Sequence, residues 1–288
     1  MSFTNYFLNF ENWSILWLIG LFLILLAYLW KMKPRLGQAF LFVLALGLCC
    51  LVFGSPLNTI KEVGLHSIGM VQQILILMVI PVLVLISIPK RTFKTDSIYF
   101  RWLSNFRKYF ILTWVIGAVA MWVGHYLSAA ILSSRTGLAI CGVQLNTFPA
   151  LRSIPDNLVL LVLLFAGFIF ALPVFHPDPQ KRIAPLKRVI YLFTSCVNCS
   201  ALGLYVVFSA SAATVYDTVQ SMAYRSGVLP WSLHTDQELA GMIMWVPGCL
   251  LYVLASVSIL LAWYEDEESD REVSVSTTEN YLNNFHEN

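Results

Sequence analysis

Residues 231–263 read WSLHTDQELAGMIMWVPGCLLYVLASVSILLAW, from Trp231 to Trp263. A short polar run holds His234, Asp236, Gln237 and Glu238; from Leu239 to Trp263 no charged residue follows. That apolar length exceeds the ~20 residues a helix needs to cross a bilayer. Ionisable groups at the mouth of such a span are costly to desolvate, so their presence argues for a use. Working outward, the question is whether the chain supplies further spans and brings other polar groups to the same membrane face.

The composition answers the first part. Of 288 residues, 58% are hydrophobic and 12% are charged. A soluble domain is about a quarter charged, so this chain has too few charges to cover a water-facing surface. The reading is all-α: a polytopic membrane protein. The net charge of +2 is segregated by loop and gives no basis for a nucleic-acid partner; the lipid bilayer is the partner composition demands. Of six cysteines, only Cys141 falls outside an apolar run, unlike a secreted disulfide framework.

Hydropathy predicts seven spans. The first covers Trp13 to Trp30, with its basic residues (Lys31, Lys33, Arg35) after the apolar run, the reverse of a signal peptide. The second, Leu36 to Phe53, is ended by Gly54-Ser55-Pro56. The third runs from about Val63 to Ile88 with Pro81 inside, which predicts a kink. The others are Tyr109 to Leu132, Asp156 to Phe175 (capped by Asp156 after Pro155), Leu186 to about Tyr216, and Asp236 to Trp263 with Pro247 inside. Trp13, Trp30, Trp114, Trp231 and Trp263 fall near predicted ends, where an interfacial aromatic belt belongs. Residues 1–263 form one transmembrane domain. Residues 264–288 are acidic and polar, with nothing to build a core, and read as a disordered cytoplasmic tail.

Lys and Arg set the orientation. One set of alternate loops, with the tail, carries Lys31, Lys33, Arg35, Lys90, Arg91, Lys94, Arg101, Arg107, Lys108, Lys181, Arg182, Lys187, Arg188 and Arg271. The other carries only Lys61, Arg135, Arg152 and Arg225. The positive-inside rule puts the N-terminus outside and the C-terminus in the cytoplasm. His66, His125, His234, Asp236 and Gln237 then collect in the outer half, while His176 lies on the cytoplasmic side and His286 in the tail. The basic loop between the third and fourth spans reads as a topology determinant.

His66 and Met70 are four residues apart, as are Met121 and His125, so each pair shares a helix face. Imidazole and thioether together suit Cu(I), and a carboxylate such as Asp236 suits Cu(II) or the orientation of a histidine. Met is equally a filler of apolar helices, and Asp236 can instead cap the seventh helix. Cys196-Val-Asn-Cys199 puts two sulfurs one turn apart, either for redox or metal chemistry or as small packing residues. Gln72, Gln73 and Asn198 must face the bundle interior, lining a polar pocket or hydrogen-bonding between helices. The seventh span holds no Lys, which excludes a retinal Schiff base there.

The motif Asp236-Gln237-Glu238-Leu239-Ala240-Gly241-Met242-Ile243-Met244-Trp245-Val246-Pro247-Gly248 is similar to the D-Q-x-x-A-G-x-x-M-W-x-P-G signature of the CtaG family. These are seven-span bacterial proteins associated with assembly of caa-type cytochrome c oxidase. Ser55-Pro56-Leu57, Met70-Val71-Gln72 with Pro81 and Pro89, Trp122 with Ala129 and Ala130, and Ala184-Pro185-Leu186 with Arg188, Tyr191 and Tyr216 resemble other parts of that family. Two departures stand out. Gly69 and Gln73 occupy positions where the family flanks its methionine with histidines, and Arg152 to Asp156 lacks the histidines at the fifth-span start.

The resemblance implies a non-enzymatic assembly factor in the bacterial inner (cell) membrane, working with haem-copper oxidase subunits and handling copper at the outer face. The expected metal site is His66, Met70, His125, His234 and Asp236. Asp236, Gln237, Ala240, Gly241, Met244 and Trp245 form the family motif. Alternative readings are a seven-span metal-dependent hydrolase, which needs three close protein ligands, and a small-solute transporter or haem-binding protein with His66 and His125 as axial ligands.

Overall fold

A computed structural model describes residues 13–57, 66–89, 107–136, 156–209 and 233–286, with backbone alone at 132–136, 156, 233–234, 266 and 269–286. Among the described residues, seven helices are long and apolar enough to span a bilayer: α1 (Ile15–Met32), α2 (Leu36–Gly54), α3 (His66–Ser87), α4 (Phe110–Thr136), α5 (Asp156–Phe175), α6 (Pro185–Phe208) and α7 (Leu233–His286). Their outer faces are apolar: Leu16, Trp30, Leu36 and Phe208 are each about four-fifths exposed or more. Such a surface is stable against lipid rather than water, and the protein is a multi-span membrane protein.

Helix α3 is the hub. Its apolar window is 61% buried, against 6% for α1, and it packs on α2, α4, α5 and α7. Helices α6 and α7 make the most extensive pairing. Glycine makes that pairing possible. A Cβ on Gly241 would meet Val207 Cγ2 at 2.4 Å and Gly203 O at 2.7 Å, and one on Gly203 would meet Gly241 O at 2.9 Å. The two backbones touch, as small residues allow between membrane helices.

Proline shapes α3 by another route than a simple kink. Leu75–Val79 forms a π-helical turn immediately before the final α-helical stretch, Ile80–Ser87. Pro81 brings no N–H and its ring presses on the preceding turn; the wider turn accommodates it. Helix α5 approaches there through Gly167, whose Cβ would lie 2.8 Å from Ile76 O.

Two expectations shift. The sixth helix, expected to reach Tyr216, ends at Phe208, where Ser209 turns extended (ψ 120); residues 210–232 lie outside the described set. Of the tail expected to be disordered, residues 264–286 continue α7 as helix. No glycine or proline follows Gly248, so nothing in the sequence breaks that helix. The proposed cap on α5 involves Pro155 and the side chain of Asp156, both outside the described set.

At the end of the bundle away from His66, the α5–α6 turn is tied by side chains. Arg182 Nε donates to His176 O (2.6 Å) and the Asp178 N–H to His176 Nδ1 (3.0 Å). Arg107, just before α4, donates to Gln180 O (2.9 Å). Burial pushes the His176 imidazole below its ordinary pKa. It does the same to the Arg182 guanidinium, with Asp178 opposing. His176 is a structural residue, in keeping with its place outside the expected site.

Candidate functional site

The dipeptide Asp236-Gln237 joins three helix ends. The Asp236 carboxylate is 1% exposed and accepts from the backbone N–H groups of His66 (2.6 Å) and Ser67 (3.3 Å) and from the Ser67 hydroxyl (2.5 Å). The first amides of a helix have no partner within it, and a carboxylate there also meets the positive end of the dipole. Asp236 therefore caps α3, a neighbour, rather than its own helix. Both of its oxygens are engaged in that cap. It orients the turn that carries His66.

Gln237 does the converse. Its Nε2 donates to Val206 O (2.9 Å), Ser209 O (2.7 Å) and Ser209 Oγ (3.1 Å), taking up carbonyls that the end of α6 leaves without helical partners. One dipeptide thus fixes the start of α3 and the end of α6 at the level where α7 begins. Sequence reasoning found both residues but not these partners, because the capped ends lie 170 and 28–31 positions away.

Below this clamp two histidines meet. The ring centroids of His66 and His125 are 5.2 Å apart, edge to face at 68°. His66 is 6% exposed and His125 is 0% exposed. Tyr126 and Tyr205 flank His125 at 5.6 Å and 6.4 Å, also edge-on. Both ring nitrogens of His125 are buried without a hydrogen-bond partner. A buried orphan polar atom costs about 1–3 kcal/mol, so an apolar side chain would serve better if this position only filled space. Met70, one turn below His66, and Met121, one turn before His125, are both buried.

Two imidazoles on one tetrahedral ion would have centroids about 5 Å apart, given metal–nitrogen bonds of ~2 Å; the observed pair fits. A haem between the same rings would need about 6 Å and a flat gap between facing ligands, which this edge-to-face contact does not leave. The His234 side chain lies outside the described set. Among the described residues no three His, Cys, Asp or Glu side chains group as metal ligands, so they do not supply the three close ligands of a metallohydrolase.

Ala240 and Met244 are buried against the core, while Trp245 is 38% exposed and its backbone N would lie 2.9 Å from a Cβ on Gly203. Met242 is 47% exposed and faces away from the core. Cys199 Sγ donates to Met244 O (3.0 Å), and Cys196 meets the Cys249 thiol of α7, itself 3.0 Å from Ser200 Oγ. Gln72 Nε2 reaches Val52 O of α2 (3.5 Å), and Gln73 Nε2 donates to Met121 O of α4 (2.6 Å). Asn198 Oδ1 accepts from Trp122 Nε1 (3.0 Å). The amides thus bond between helices, and Gln73 and Asn198 line a small cavity as well.

The fold and site define a multi-span helical membrane protein with a buried histidine pair beneath a three-helix clamp. The sequence model of the cytochrome c oxidase caa3 assembly factor (Caa3_CtaG) family matches residues 20–266, and the chain belongs to that family. Searches of curated proteins and of solved structures gave no match.

Proposed function

We propose that this protein assists maturation of a haem-copper cytochrome c oxidase by holding Cu(I) as cargo between His66 and His125 and releasing it to oxidase subunits. The observation that carries this reading is His125: fully buried, with both nitrogens lacking partners, beside a second imidazole at 5.2 Å. Imidazole suits copper, and the thioethers of Met70 and Met121 supply the softness that favours Cu(I). Asp236 positions His66 through the backbone and takes no direct part. The role is non-catalytic.

The excess of Lys and Arg in alternate loops supports an N-terminus outside and a C-terminus in the cytoplasm. The histidine pair then lies in the outer half of a bacterial cell membrane. The test is a His125→Leu chain expressed in place of the natural one. The expected result is normal amounts of the protein, with loss of Cu(I) binding at the histidine pair and of copper in the membrane's oxidase. Full oxidase copper in that strain refutes the reading.

A further inference from the structure

A cavity of about 20 Å³ lies inside the bundle, lined by Met78 of α3, Met121 of α4 and Met244 of α7, with Gln73, Ser195 and Asn198 beside them. It is large enough for a single small occupant. Met121 is four residues from His125 and Gln73 is seven from His66, so the cavity lies roughly 6–10 Å along the helices from the histidine pair. Gln73, Asn198 and Ser195 already hold one partner each. Gln73 donates to Met121 O, Asn198 Oδ1 accepts from Trp122, and Ser195 Oγ donates to Tyr191 O (2.7 Å). Three thioethers from three different helices are therefore its distinctive chemistry.

We propose that this cavity is a second Cu(I) station, a thioether site into which the ion passes from the histidine pair; the proposal rests on the copper reading above. Thioether sulfur selects Cu(I). The transfer is ligand exchange alone: each copper–nitrogen bond that breaks is replaced by a copper–sulfur bond, the copper stays Cu(I), and no proton or electron is needed. Among the described residues, no charged side chain lines the cavity. A cation held only by neutral donors away from water is weakly retained, so the station passes the ion on rather than storing it.

The test is an anaerobic titration of the full chain in lipid nanodiscs with Cu(I), against a chromophoric Cu(I) chelator. The wild type is expected to take up two ions, the second more weakly. Met78→Leu with Met244→Leu is expected to remove the second and keep the first. These swaps conserve volume; circular dichroism checks the fold. Copper X-ray absorption of a His66→Ala, His125→Leu chain gives an independent readout, and sulfur-only scattering is expected. A wild type that saturates at one ion overturns the inference, as does a second ion retained by the methionine variant or an absence of sulfur scattering. In those cases the histidine site stands. If no Cu(I) binds at all, both proposals fall.

Discussion

Replacing Asp236 tests the clamp most directly. Its carboxylate satisfies two backbone amides and one hydroxyl at the start of α3, at 1% exposure. Asp236→Ala leaves those donors buried without an acceptor. At about 1–3 kcal/mol for each buried unsatisfied group, with part of the loss relieved by fraying of the first turn, the expected cost is about 3–5 kcal/mol. Asp236→Asn keeps one acceptor oxygen, and the Ser67 hydroxyl can turn to accept from the new amide. Its expected cost is about 1–2 kcal/mol, near that of losing an N-cap. Reversible unfolding in mixed micelles would measure both. Hydrogen exchange would locate the effect, with faster exchange expected at the amides of His66 to Gly69 and little change in the middle of α5. If Asp236→Ala is as stable as wild type, or protection at His66 and Ser67 is unchanged, Asp236 does not cap α3.

Other outcomes follow from the same geometry. Gln237→Leu loses the donors to Val206 O and Ser209 O, and is expected to cost about 1–3 kcal/mol and to speed hydrogen exchange at the end of α6. Gly241→Ala forces a Cβ to within 2.4 Å of Val207 Cγ2 and 2.7 Å of Gly203 O; a loss of about 1–3 kcal/mol from overpacking should appear as a lower melting temperature in detergent. His125→Leu removes two buried orphan nitrogens, so its melting temperature is expected to equal or exceed wild type while Cu(I) affinity at the histidine pair collapses. Burial lowers the His176 pKa, so the unfolded chain takes up a proton there at higher pH than the folded one. Stability is full above the ordinary histidine value of about 6.5 and falls as pH drops through it toward the folded value; His176→Phe should flatten that part of the stability–pH curve.

Much of the fold is legible along the chain because each span is a local property. An apolar run of bilayer length forms a helix whatever its neighbours do, since lipid offers its backbone no hydrogen bonds. The positions of His66, Met70, Met121 and His125 at i,i+4 spacing are equally local. Less legible was what each polar group touches. Asp236 can cap its own helix or serve as a ligand when only nearby residues are weighed; in the structure both oxygens serve α3. Cys196 and Cys199 look like partners in sequence, yet their sulfur contacts are to α7. Pro81 predicts a disturbance of α3, but the form it takes, a π-helical turn against Gly167, depends on packing with α5.

The sequence alone determined that this is a helical membrane protein, where its spans fall, which residues carry soft or ionisable donors, and its family signature. Tertiary structure decided that His66 and His125 face one another, that Asp236 and Gln237 clamp α3 and α6, and that three methionines share a cavity. The reason is range. Hydropathy and helical periodicity act within about a turn or a span, whereas convergence between helices is set by the close approaches that Gly167, Gly203 and Gly241 permit. It is set as well by caps reaching across as many as 170 positions of chain.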